Sequence, residues 1–170
     1  MQNIDNQKEY KVLFVCLGNI CRSPAAEGIF KTMVKEQGLS DKITVDSAGT
    51  SGYHTDELPD LRMRKHATRR GYTLDSLSRK FTVNDFDRFD LILVMDDNNH
   101  RDVMRLAPDL ESEKKVYRMM DFSQDFVHDH VPDPYYSGAD GFELVLDGLD
   151  QGGLGEVFVV VVVFAHGGTM

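Results

Sequence analysis

The sequence predicts a three-layer α/β/α fold built on a parallel sheet. Three observations carry that expectation. Short apolar, strand-like runs alternate with helical patterns along the chain. Residues 91–95 form an uninterrupted apolar run, as a strand covered on both faces does. The first strand, residues 12–15, passes through a short turn straight into a helix start, which is how a parallel crossover begins.

The elements follow in order. Residues 1–10 are a polar extension with no apolar centre, so they are not read as a signal peptide. Val12, Leu13, Phe14 and Val15 suit a buried strand. Ser23 is a good N-cap, Pro24 fits the first helical position, and Glu27 places a carboxylate in the first turn. The helix over 25–37 has Ile29, Phe30, Met33 and Val34 at helical spacing, and Gly38 ends it. Residues 43–49 read as a second strand, and 50–60 as a polar, Gly-containing loop. The helix over 61–70 carries Arg62, Arg64, Lys65, Arg69 and Arg70, a run read as a solvated face. Residues 79–87 are irregular or a short helix capped by Thr82 or Asp85. Strand 91–95 is followed by a helix over 98–106, stopped by Ala107 and Pro108. Residues 115–119 are a weaker fourth strand, 121–140 a polar loop, and 141–149 the start of a last helix.

The end of the chain is atypical from residue 148 to 170. Gly148, Gly152, Gly153 and Gly155 each cost a helix interior about 1 kcal/mol. The apolar run over 157–165 has no polar face and is far short of the about 20 residues that span a bilayer. No membrane association is expected.

The chain of 170 residues fits a single domain, 1–170. Its net charge of −9 argues against nonspecific nucleic-acid binding. Two cysteines, both in one loop, suit a reduced, cytoplasmic protein better than a disulfide framework. His128 and His130, with Asp129 and Asp133, read as a solvated loop rather than a metal site, and no cofactor is expected.

Chemistry concentrates in the loop from Cys16 to Ser23. A turn between a strand end and a helix N-terminus points several backbone N–H groups, Leu17, Ile20 and Cys21 among them, into one anion-binding hollow. Cys16 sits at its floor, where the helix N-terminus and Arg22 favour a nucleophilic thiolate. Arg22 offers a planar fork for two phosphate oxygens. Gly18 supplies positive φ where the loop curls, and Asn19 tolerates the left-handed region and ties the loop. Ser23 donates to the sulfur. A thiolate below a phosphate cradle implies phosphoryl transfer through a phosphocysteine. Downstream, Pro132 and Pro134 stiffen the chain around Asp133, a carboxyl that can protonate a leaving oxygen and then activate water. Tyr135 and Tyr136 can wall a slot for an aryl ring.

The run from Cys16 through Arg22, Ser23 and Pro24 resembles the signature loop of the low-molecular-weight protein tyrosine phosphatases. Asp133 to Gly138 is similar to that family's general-acid loop, which implies that Asp133 is the general acid and base. The resemblance implies a four-stranded parallel sheet of order 2-1-3-4, a flavodoxin-like half. It implies a phosphotyrosine-containing protein or a small aryl phosphate as substrate. Ser47 matches a serine that supports the loop, and Tyr53 an aromatic that lines the substrate slot. Two features depart from the pattern. Ser76 stands where the family often has a histidine bracing the loop asparagine, so the support of Asn19 must differ. The family's terminal amphipathic helix is replaced after Gly148 by sequence that looks foreign to it, as from a shifted reading frame.

Two other functions compete. Arsenate reduction on the same loop needs further thiols, and no cysteine follows Cys21. A non-catalytic phosphotyrosine-binding module would lack Cys16 or Asp133, and both are present. Cys16 and Cys21 share one loop, so oxidation is expected to join them reversibly.

Overall fold

The first strand, β1 (Tyr10–Cys16), is the axis of the molecule, and its alternating side chains serve two separate cores. The computed structural model describes residues 9–122, 130–135 and 138–167. After β1 come α1 (Arg22–Glu36), β2 (Ile43–Gly49), α2 (Leu61–Arg69), α3 (Asp85–Arg88), β3 (Leu91–Val94), α4 (Asp97–Leu106), α5 (Leu110–Glu113) and β4 (Val116–Arg118). A single 3-10 turn, Met119–Phe122, follows. The chain closes with α6 (Ala139–Asp147), a π-helical turn (Gly148–Gly153) and α7 (Leu154–Ala165).

All strand pairs are parallel, in the order β2-β1-β3-β4. Val12, Phe14 and Cys16 face a core filled from α1, α2, α6 and α7 by Phe30, Met63, Phe142 and Val157. Leu13 and Val15 face the opposite core, with Phe81, Phe86, Phe89 and Val103. Each face of the sheet is therefore dry, which explains why β1 and β3 read as unbroken apolar runs rather than alternating ones. Burying side chains of this size contributes about 1.5–3 kcal/mol each, so the central strand is held firmly on both sides. Cys16 ends that strand at the carboxyl edge of the sheet, where ligands of parallel α/β folds bind.

Several expectations are corrected. Helix α1 begins at Arg22, with Cys21 at the N-cap position, so Ser23 and Pro24 lie inside its first turn. Ser23 does not cap, because its hydroxyl is turned toward the Cys16 sulfur. Glu27 is not a first-turn carboxylate but is buried beneath the loop. Helix α3 starts after Asn84, with the Asp85 carboxylate receiving Thr82 N–H at 2.8 Å. Helix α5 was not anticipated. The basic face of α2 is only partly solvated: Arg70 reaches Glu143 and Asp147 of α6.

The tail departs most from expectation. Its glycines do not end the helix; they widen it into the π turn, and α7 continues beyond. A Cβ on Gly153 would lie 2.4 Å from Met119 Cε, the movable end of that side chain, and 3.2 Å from Met119 O, so a larger residue there would make Met119 shift. Leu154, Val157 and Val161 are fully buried, Phe158 packs edge-on against Phe30, and Phe164 stacks on Tyr10. The continuous run Ala139–Ala165 is 27 residues long and, by length and composition alone, apolar enough to cross a membrane; 38% of its most apolar window is buried inside the protein. The argument from a short apolar run therefore fails, since the helix is longer than that run.

Candidate active site

The Cys16 sulfur sits at the floor of a cleft of about 380 Å³ lined by Leu17, Gly18, Ile20, Cys21, Arg22, Ser51, Tyr53, His54, Asp133 and Tyr135. It is 3% exposed. Asn19 N–H donates to it at 3.3 Å, and Ser23 Oγ lies 3.1 Å away. Both groups are donors suited to a sulfur anion.

Asn19 braces the loop from within. Asn19 adopts φ 58°, the left-handed conformation that this residue type tolerates. Its Nδ2 donates to Ser23 Oγ at 2.8 Å and to Ser47 Oγ at 2.9 Å, and its Oδ1 accepts from Arg79 N–H at 3.0 Å. Positive φ was expected at Gly18 as well; it occurs at Asn19 and not there. At Gly18 a Cβ would sit 3.1 Å from His54 Cδ2, so glycine lets the His54 ring pack close over the loop. Ser47 Oγ in turn donates to Glu27 Oε1 at 2.5 Å, and Lys31 Nζ donates to Glu27 Oε2 at 2.5 Å. Asn19 is thus braced by a main-chain donor at Arg79 and, through Ser47, by a buried carboxylate. Ser78 Oγ adds a 3.3 Å bond to Gly18 O.

Arg22 is 2% exposed and is fixed from behind. Nη1 donates to Asp96 Oδ2 at 2.6 Å and to Val131 O at 2.9 Å. Burial works against its charge, but Cys16, Asp96 and Asp133 together hold its pKa above the ordinary value. Asp133 Oδ2 lies 3.6 Å from Arg22 Nη2. The Asp133 carboxyl is 43% exposed and accepts Tyr135 N–H at 3.1 Å. Thus the cleft gathers Cys16 and Arg22, from one loop, with Asp133, from far along the chain. Burial, and then the nearby Asp60 charge, push the Cys21 thiol up, so it is protonated near neutrality. Both cysteines are free thiols.

Tyr53 stands at the rim, 84% exposed, with its ring edge-on to His54. Tyr135 forms part of the wall. Tyr136 lies outside the described residues, as do His128 and Asp129. Asp96, His54, Ser51 and Glu27 were missed as site residues. A signal existed for Asp96 alone: it directly follows the run at the end of β3, on the same carboxyl edge as Cys16.

A buried cysteine receiving a loop amide and facing a serine hydroxyl, with a buried arginine beside it and a carboxyl across the cleft, defines a cysteine-dependent phosphatase. The model of the low molecular weight phosphotyrosine protein phosphatase family matches residues 11–155. A protein of Synechocystis sp. with a low molecular weight protein-tyrosine-phosphatase designation is 48% identical over 141 residues, covering 83% of this chain and 90% of its own. The human low molecular weight phosphotyrosine protein phosphatase is 40% identical over 139 residues, covering 82% and 88%. The crystal structure of a protein tyrosine phosphatase from Entamoeba histolytica, with Hepes in the active site, superposes with a TM-score of 0.86 at 40% identity. It covers 93% of this chain and 99% of that one. The chain belongs to the low molecular weight phosphotyrosine protein phosphatase family.

Proposed function

We propose that this protein hydrolyses phosphotyrosine and aryl phosphate monoesters through a phosphocysteine. The observation that carries the reading is the convergence of Cys16, Arg22 and Asp133 on one cleft with aromatic walls. Cys16 Sγ attacks phosphorus while the P–O bond to the aryl group breaks. Asp133, as a carboxylic acid, gives its proton to the departing oxygen. The resulting carboxylate takes a proton from water, which attacks phosphorus and expels the Cys16 thiolate. Ser23 Oγ, 3.1 Å from the sulfur, is suited to stabilise that leaving group. Arg22 and the amides of Leu17, Gly18, Asn19, Ile20 and Cys21 bind the equatorial oxygens. Tyr53 and Tyr135 wall the aryl slot, with Tyr136 assigned to the same slot. Ser47 supports Asn19. A reducing, cytoplasmic setting suits the two free thiols, and the net charge of −9 argues against nucleic-acid binding.

The test pairs p-nitrophenyl phosphate turnover with a thioredoxin-coupled arsenate assay. Turnover of the ester alone, abolished in Cys16→Ser and insensitive to EDTA, is expected. Arsenate reduction would favour the reductase. Binding of phosphotyrosine without turnover would favour a recognition module. In Asp133→Ala, kcat/KM is expected to fall by roughly 10²-fold or more for phenyl phosphate, and much less for an ester with an acidic phenol. Equal losses across the leaving groups would remove Asp133 from the acid role.

A further inference from the structure

The carboxyl of Asp133 sits on a stretch with no helix or strand to hold it. That stretch is pinned at both ends. At Val131, N–H donates to Met95 O at 2.8 Å, just past the end of β3, and the carbonyl accepts from Arg22. At Tyr135, the carbonyl accepts from Arg62 Nη2 at 2.9 Å. Between the two anchors, Tyr135 N–H donates to Asp133 Oδ1. One residue therefore receives Arg62 on its carbonyl and orients the acid with its amide.

Arg62 is half exposed, but its guanidinium is held by several partners. Its Nε and Nη2 grip the Asp60 carboxylate at 3.1 and 2.9 Å. Asp60 caps α2 and donates its own N–H to Ile20 O, in the signature loop, at 2.7 Å. The guanidinium carbon lies 4.8 Å from the centre of the Phe142 ring and 5.6 Å from that of Tyr135. The clamp thus joins the phosphate loop, the acid stretch and α6. A planar fork is required: the two-point grip on Asp60 aims Nη2 at the Tyr135 carbonyl, and an ammonium has no such geometry.

We infer that Arg62 is a positioning residue for the general acid, acting through Tyr135 without touching the phosphate. This rests on the reading of Asp133 as the acid. Removing the guanidinium takes away the anchor on the Tyr135 carbonyl, so the carboxyl samples more positions and meets the leaving oxygen less often. The loss falls on esters that need protonation and spares those that do not.

The test measures kcat/KM, which reports the step that forms the phosphocysteine, across aryl phosphates of graded leaving-group acidity. Wild type, Arg62→Ala, Arg62→Lys and Asp133→Ala are compared, with Arg62→Ala also placed in the Asp133→Ala background. Arg62→Ala is expected to lose about tenfold on phenyl phosphate and less than about twofold on 2,4-dinitrophenyl phosphate, a fraction of what general acids supply. Arg62→Lys recovers less than half of the loss. In the Asp133→Ala background, Arg62→Ala costs nothing further, because the acid it positions is gone. An equal loss across the series, or a loss that persists without Asp133, would overturn the inference and leave Arg62 a structural residue. A flat series for Asp133→Ala itself would overturn the acid assignment and the inference with it. Circular dichroism on each variant establishes that the compared proteins are folded; if Arg62→Ala is not, Arg62→Gln takes its place.

Discussion

Asn19→Ala is the sharpest probe of the phosphate loop. Asn19 is 2% exposed and makes three side-chain hydrogen bonds, to Ser23, Ser47 and Arg79 N–H. Each contributes about 1 kcal/mol net. Alanine keeps the Cβ that asparagine already carries at φ 58° but loses the short polar side chain that eases the left-handed conformation, which adds up to about 1 kcal/mol. The whole cost is about 4 kcal/mol. For a domain of this size, with about 2–4 °C lost per kcal/mol, the midpoint of thermal unfolding should fall by roughly 8–16 °C. Asn19→Gly removes the same bonds but accepts the backbone, so it should fall short of the alanine loss by up to about 1 kcal/mol. Kinetics should move as well. Asn19 N–H points at the Cys16 sulfur, and a loop released from Ser47 and Arg79 no longer holds it there, so kcat/KM should drop at least about tenfold. Scanning calorimetry and p-nitrophenyl phosphate kinetics on the three proteins decide the matter. A midpoint within about 3 °C of wild type would refute the reading of Asn19 as the brace of this loop.

Two further outcomes are expected. Burial raises the Asp60 pKa, but the bonds from Arg62 and the α2 amides outweigh it and hold the carboxyl below its ordinary range. Its stabilisation is present above the unfolded value of about 4 and is lost as pH falls through the lower folded value. Asp60→Asn should therefore flatten the acid limb of thermal stability below about pH 4; an unchanged limb would show that Asp60 is not the group responsible. The second concerns oxidation. Peroxide passes an oxygen to the Cys16 thiolate to form a sulfenic acid, and the Cys21 thiol condenses with it, expelling water and leaving a disulfide. Dithiothreitol should then restore activity to wild type but not to Cys21→Ser, whose Cys16 goes on to the sulfinic acid. Equal recovery of both proteins would deny Cys21 a protective role.

Much of this protein was legible in its sequence because the signals are local. A strand buried on both faces needs an unbroken apolar run, and 12–15 and 91–95 supply it. A cysteine at a strand end, followed by a turn and a helix start, places a thiol under amides whatever the remainder of the chain does. The parallel sheet follows from alternation, and its order 2-1-3-4 from the resemblance. Where local reasoning failed, a distant partner outbid the local preference. Ser23 is a sound cap by itself, yet its hydroxyl meets Cys16 Sγ, Asn19 Nδ2 and Ala48 O, the last from a neighbouring strand. Glu27 suits an exposed first turn until Ser47, on β2, offers a hydroxyl beneath the loop.

The tail shows the same division. Glycine propensity argues against a helix after residue 148, but propensity is a small term beside the burial of Leu154, Val157 and Val161. Gly153 lets this turn pack closely over Met119. The sequence by itself determined the residue types that the proposed chemistry uses, Cys16, Arg22 and Asp133, and the strand on which the first of them rides. Only the tertiary structure decided what holds them: Asp96 behind Arg22, the Arg79 amide and Ser47 on Asn19, and Arg62 on the stretch that carries Asp133. The reason is physical. A nucleophile is written in one side chain, whereas its orientation depends on hydrogen-bond geometry between segments that meet only when the sheet and its two helical layers close.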